Sequence, residues 1–213
     1  MIKPGIQLIG IHGHAGVGKD TLALYFHEEY TNVYIEHFAD PLKAACSKAF
    51  GIQLEQFSTP EVKEKIHPYW NVSPRQIAQF MGTEIFRDQI YRLVSAEPDK
   101  SFWIKRLEGT INGDLVLEDE GEYGEGHTVI IPDVRFQDEA DWIVNNGGVI
   151  ICLTRPNYNG VVGISNHESE KGNLLIPGGS SYEITNEASK AAMYTCAELA
   201  LKEAFNINLI PKS

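Results

Sequence analysis

A chain of 213 residues, 43% of them hydrophobic, is long enough for one α/β domain with a real core. Its formal charge of −11 argues against broad binding to nucleic acid or to an anionic membrane. A phosphorylated ligand must therefore be met by a local cluster of basic side chains.

Ile6 to Ile11 is an apolar run that reads as a buried parallel strand. It ends in Gly13-His14-Ala15-Gly16-Val17-Gly18-Lys19, after which a helical pattern begins. Gly, four residues, Gly and Lys after a strand is the spacing of a phosphate-binding loop. Glycines let backbone N–H groups turn inward, and they present no side chain to an approaching phosphate. The helix N-terminus adds partial positive charge, and Lys19 adds a full one. The expected nucleoside triphosphate contacts are Gly13, Ala15, Gly16, Val17, Gly18, Lys19, Asp20 and Thr21. Asp20 stands where this loop usually carries Ser or Thr. A carboxylate there can hold Mg²⁺ or accept a proton from a hydroxyl. Thr21 can reach a phosphate from the first helical turn.

The next helix is expected from Thr21 to about Tyr30, with Leu22, Leu24, Tyr25 and Phe26 as its apolar residues. Val33 to Ala39 alternates as a second strand. Asp40-Pro41 opens another helix, with Asp40 as N-cap, Leu42, Ala45, Cys46 and Ala49 inward, and Gly51 as the stop. Lys43 lies in its first turn, where the helix dipole disfavours a cation; a bound phosphate or simple solvation would account for it. Residues 53–71 are polar and proline-containing, as in a flap over a substrate. Ser73-Pro74-Arg75-Gln76 then starts a helix with a capping box. Ile77, Phe80, Met81 and Ile85 follow at helical spacing, and Gly82-Thr83-Glu84 interrupts or kinks the element. Arg75 is a candidate ligand contact. A further helix is expected over 99–111. Residues 113–126 are acidic and glycine-rich, as in an exposed loop or short hairpin.

Thr128 to Val134 is the third strand, ending in an acid. Asp133 and Arg135 leave it together, where open α/β sheets bind their ligands. Asp133 is placed to meet Mg²⁺ or to cap the helix expected over 136–146. Val149 to Leu153 is the fourth strand and leads to Arg155. Residues 157–179 form a loop long enough to be a lid. A short fifth strand runs from Tyr182 to Asn186. An amphipathic helix from Ser189 to Phe205 closes the chain, with Met193, Cys196, Ala197, Ala200 and Ala204 on one face. Cys46, Cys152 and Cys196 are widely spaced and lie in apolar-patterned segments, as expected for buried free thiols in a reducing compartment. No signal peptide or membrane span is expected.

The ordered set GHAGVGKDT, FADPLK, PRQIAQFMGTE, FWIKR, PDVRFQDEAD, LTRP, NHESE and ITNE resembles the deoxynucleoside monophosphate kinases of tailed bacteriophages, in the P-loop nucleoside monophosphate kinase group. Asp after the loop lysine is usual there. The resemblance implies a three-layer α/β sandwich with a mainly parallel five-stranded sheet, flanking helices and a lid. It implies a single domain over 1–213, with a substrate-binding helical region over 53–100 and a lid over 157–179. The implied reaction moves the γ-phosphoryl of ATP to a deoxynucleoside 5′-monophosphate, with Mg²⁺, in the cytoplasm. Lys19, Asp20, Arg75, Asp133 and Arg135 would be catalytic, and Asp20 and Asp133 the metal contacts. Arg155 and Asn186 would add to the ATP site. Asp40, Lys43, Arg75, Thr83, Glu84, Arg135, His167 and Glu170 would hold the acceptor. Partners would be small nucleotides, not nucleic acid or membrane; monomer and homodimer are both compatible. Two other readings remain: a kinase of another phosphorylated metabolite, resembling phosphomevalonate kinases, and a nucleotide-dependent regulatory ATPase.

Overall fold

The computed structural model describes residues 1–94, 101–115, 123–156, 174–187 and 189–212. The described chain forms two compact units. One takes in Met1–His37 and the described residues after Arg106; the other takes in the described residues of Phe38–Arg106.

The first unit is built on a five-stranded sheet in the order β2-β3-β1-β4-β5, with every pairing parallel. The strands are β1 (Gln7–His12), β2 (Val33–Ile35), β3 (Thr128–Val134), β4 (Val149–Thr154) and β5 (Ser181–Thr185). The inner strands need near-continuous apolar runs because helices cover both faces of the sheet. All seven residues of β3 are buried. Side chains alternate across a strand, so Ile9 and Ile11 pack with Leu22, Ala23 and Phe26 of α1 (Lys19–Glu29) and Met193 and Ala197 of α8 (Lys190–Leu199). Gly10 faces the other side, against Ile143 of α7 (Gln137–Asn145). The described architecture is the expected α/β arrangement, and the sheet is wholly parallel.

Several expected details differ. β2 stops at Ile35, and Ala39, not Asp40, is the N-cap residue of α2 (Asp40–Phe50). Phe136 is the N-cap residue of α7. Glu139, in the first turn, accepts the Phe136 N–H at 3.1 Å. Cys46 is buried, but Cys152 is half-buried and Cys196 exposed. On α8 the buried stripe is Met193 and Ala197, continued by Ala200 and Leu201, so Cys196 falls one position outside it. Leu24, Phe80, Ala45, Ala49 and Ala204 are likewise exposed.

The second unit holds α2, a 3-10 turn (Leu54–Phe57), α3 (Pro60–Lys63), α4 (Pro74–Phe80), a π-helical stretch (Met81–Ile90), α5 (Tyr91–Val94) and the first turns of α6 (Phe102–Ile111). Ser73 caps α4 in the expected box with Gln76. The interruption at Gly82 is a change of helical pitch, and such π segments recur at functional sites. A Cβ on Gly82 would lie 2.6 Å from Leu42 Cδ2, and its carbonyl accepts the Trp103 indole N–H at 2.9 Å. These contacts fix where Thr83 and Glu84 sit in that unit.

Tyr25 and Tyr194 stack at 3.9 Å between ring centres, joining α1 to α8, and Tyr25 and Tyr30 both donate to Glu198. Burial, and then the Glu198 carboxylate, push the Tyr25 hydroxyl from 10.0 up to about 12, and Tyr30 moves in the same direction. The stability gained by keeping Tyr25 protonated is therefore complete below pH 10.0 and is lost as the pH rises through about 12. Melting temperature followed against pH should fall across that window, and Tyr25→Phe with Tyr30→Phe should flatten the fall.

Candidate functional site

The carboxyl ends of β1, β3, β4 and β5 carry most of the expected residues of the first unit. The loop after β1 has left-handed backbone at Gly13 (φ 151°), Gly16 (φ 81°) and Gly18 (φ 110°). At Gly13 the need is absolute, since a Cβ there would lie 2.2 Å from the Leu153 carbonyl oxygen. Gly18 is the N-cap residue of α1, so the positive end of that helix's dipole adjoins the loop. Lys19 Nζ donates to the carbonyls of Gly13 (2.7 Å) and His14 (2.9 Å), closing the loop on itself. Val17 is buried beneath the loop, whereas Ala15 and Thr21 are half-buried and His14, Gly16 and Asp20 exposed.

At the end of β3, Asp133 is buried and Arg135 half-buried. Their turn is held from two sides. Glu139, 2% exposed, accepts the Arg135 N–H at 2.8 Å through the same oxygen that caps Phe136. His12 Nδ1 lies 3.0 Å from the Val134 carbonyl oxygen, so that nitrogen carries the hydrogen. Neither His12 nor Glu139 stands out in the sequence, because each acts through a partner distant along the chain. A glutamate three residues past a helix start is a capping signal, but its burial is tertiary.

His37 Nε2, just after β2, lies 3.8 Å from Asp20 Oδ1. Arg155 is exposed beyond β4. Asn186, beyond β5, donates through Nδ2 to the Val17 carbonyl at 2.9 Å, so it braces the glycine loop directly. Asp20 and Asp133 supply hard oxygen donors. Among the described residues no group of three His, Cys, Asp or Glu could hold a metal by itself. A carboxylate at either position suits Mg²⁺, which is usually bound by one or two carboxylates with substrate phosphates and water.

In the second unit Asp40 Oδ1 pairs with Lys43 Nζ at 2.6 Å, which accounts for a cation in that first turn. Arg75 is buried, with Nη1 3.3 Å from Glu64 Oε1. Thr83 is half-buried and Glu84 exposed on the π-helical stretch. Gln79, which periodicity alone does not mark, has both carboxamide polar atoms buried with no hydrogen-bond partner among the described residues. A buried amide in that state is costly unless something else satisfies it. The expected lid, with His167 and Glu170, lies outside the described residues apart from 174–179. There Leu175 exchanges two hydrogen bonds with the Gln137 carboxamide, at 2.8 and 2.9 Å.

The parallel sheet, its flanking helices and the glycine loop at β1 define an α/β fold consistent with a P-loop kinase. No family model matches the chain. A protein of Acanthamoeba polyphaga mimivirus named "Putative deoxynucleotide monophosphate kinase" is 34% identical over 172 residues, spanning 76% of this chain and 80% of that protein. The chain belongs to this deoxynucleotide monophosphate kinase family. The relative comes from a giant virus, not from a bacteriophage. Among the described residues no helix is long and apolar enough to cross a membrane.

Gly13→Ala should disrupt the loop, since both the backbone angle and the Leu153 carbonyl oppose it. Titration with a fluorescent nucleoside triphosphate should show binding weakened by at least about tenfold, or ~1.4 kcal/mol. Gly124→Ala, where a Cβ meets open space, should bind as the parent does.

Proposed function

We propose that this chain transfers the γ-phosphoryl of ATP to a deoxynucleoside 5′-monophosphate, giving the diphosphate and ADP. The observation that carries the proposal is the glycine loop packed against the Leu153 carbonyl, with the Asp133–Arg135 turn at the end of the adjacent strand. Family membership supports the choice of substrate class.

Phosphoryl transfer asks a protein mainly for positioning and charge neutralisation. The loop amides would cradle the ATP phosphates. Lys19 would exchange the Gly13 and His14 carbonyls for phosphate oxygens, which are stronger acceptors. Asp20 and Asp133 would hold Mg²⁺, which would supply charge neutralisation when bound. Arg135 would meet the transferring group, and Arg155 would assist on the ATP side.

The acceptor is a phosphate oxyanion already, so no residue need remove a proton. Arg75 would take the acceptor phosphate in place of Glu64, exchanging one anion for another at a buried guanidinium. Lys43, Asp40, Thr83 and Glu84 are further acceptor contacts in this reading. The unpartnered carboxamide of Gln79 offers one donor edge and one acceptor, which suits a nucleobase edge. His167 and Glu170 would act from the lid over 157–179, whose closure would exclude water.

ADP release should be measured with ATP·Mg²⁺ and each common deoxynucleoside and ribonucleoside monophosphate in turn. Strong stimulation by at least one deoxynucleotide is expected. Lys19→Ala and Arg135→Ala should each lower the stimulated rate by about 10²-fold or more with circular dichroism unchanged. No stimulation by any monophosphate, in a protein that binds ATP, would overturn the proposal in favour of another acceptor or a regulatory ATPase.

A further inference from the structure

We infer that His12 and Glu139 clamp a single peptide group, the one joining Val134 to Arg135, and thereby aim Asp133 and Arg135. Both are positioning residues, and the catalytic half of the inference rests on the phosphoryl-transfer reading above.

A peptide group is a rigid plane, so it can swing only about the soft torsions at its two ends. Here both ends are held. The carbonyl accepts from His12 Nδ1 at 3.0 Å, and the N–H donates to Glu139 Oε2 at 2.8 Å. With the plane fixed, the side chains of Arg135 and of Asp133, one residue before Val134, leave the strand in set directions.

Helix capping alone does not explain Glu139. A capping carboxylate three residues into a helix satisfies the N-cap N–H and normally stays wet. This one is 2% exposed and reaches one residue further back, to Arg135. Burying a carboxylate is costly unless hydrogen bonds satisfy it, and here two backbone donors meet one oxygen.

Strand register brings His12 to its place. Gly10 pairs with Ile131, but His12 pairs with Val134, so β3 carries one extra residue across that step. Pro132 lies in the extra span and has no N–H for a ladder bond to lose. Without the slip His12 would face Asp133. His12 also immediately precedes Gly13, so the clamp ties the entry of the phosphate loop to the acid–arginine turn.

The test uses the full chain as parent, Glu139→Ala, Glu139→Gln, His12→Ala, His12→Asn, Arg135→Ala and the double variant Glu139→Ala/Arg135→Ala. Gln keeps the acceptor, and Asn keeps a donor near the Nδ1 position. In Glu139→Ala, exchange of the Arg135 amide should accelerate by about 100-fold or more, while the Val129 to Ile131 amides remain slow. Acceptor-dependent kcat should fall by about 30-fold or more, with KM for ATP within about threefold. His12→Ala should lower kcat in the same way. Glu139→Gln and His12→Asn should recover most of the lost rate. The double variant should be no slower than Arg135→Ala, because an aiming residue has nothing left to aim.

An Arg135 amide equally protected in Glu139→Ala would overturn the clamp. Losses that multiply in the double variant would overturn the aiming role and leave Glu139 as a stabilising residue. If Glu139→Ala does not fold, His12→Ala, with His12→Asn as its rescue, carries the same comparison. A parent without phosphoryl transfer would refute the functional reading and with it the aiming role, while amide exchange would still decide the clamp.

Discussion

Space is exhausted where β1 crosses the sheet and leaves it, and that shortage shapes the first unit. A Cβ on Gly10 would stand 2.6 Å from Ile150 Cδ1 and 2.9 Å from Ile143 Cδ1. Gly148, which leads into β4, is as tightly enclosed: a Cβ there would stand 2.7 Å from Ile143 Cγ2 and 2.8 Å from the Leu8 carbonyl oxygen. α7 can therefore press close to the sheet. At the strand's end Gly13 leaves no room beside the Leu153 carbonyl, so the chain must turn away through left-handed backbone. That turn makes the glycine loop. A side chain at Gly10 would displace α7, and with it the Glu139 carboxylate that holds the β3 exit; a side chain at Gly13 would open the loop.

An acidic chain that handles polyanions must control where its own charges lie. Asp40 is taken up by Lys43 and Glu64 by Arg75. Glu139 accepts from two backbone donors, the N–H groups of Arg135 and Phe136. Lys19 is held on loop carbonyls, neutral partners that a phosphate can displace. Acid and base at this protein's candidate ligand residues are thus paired in ways a stronger anion can rearrange.

The elements that obey a simple period were legible. The buried strands are apolar runs, and the glycine loop, the Gly51 stop and the Ser73 capping box rest on local chemistry that neighbours along the chain report. Helix faces were less so. Periodicity marks a stripe but not its width, which is why Leu24, Phe80 and Cys196 are exposed. Glycine at position 82 signals an interruption, but only its packing on Leu42 and the Trp103 bond show why the backbone changes pitch there. His12, Glu139 and Gln79 were illegible for one reason: each matters through burial or through a bond across the fold. Lys19, Asp133 and Arg135 were legible because their place at a strand end follows from the strands themselves.

Phosphorus NMR of ATP·Mg²⁺ mixed with the protein and the deoxynucleoside monophosphates tests the account most directly, because it shows where the γ-phosphoryl goes. The account predicts that the ATP γ signal falls as a new diphosphate β signal grows, with no matching growth of inorganic phosphate. Inorganic phosphate that grows at one rate with or without the monophosphates, and no new diphosphate beyond ADP, would contradict it.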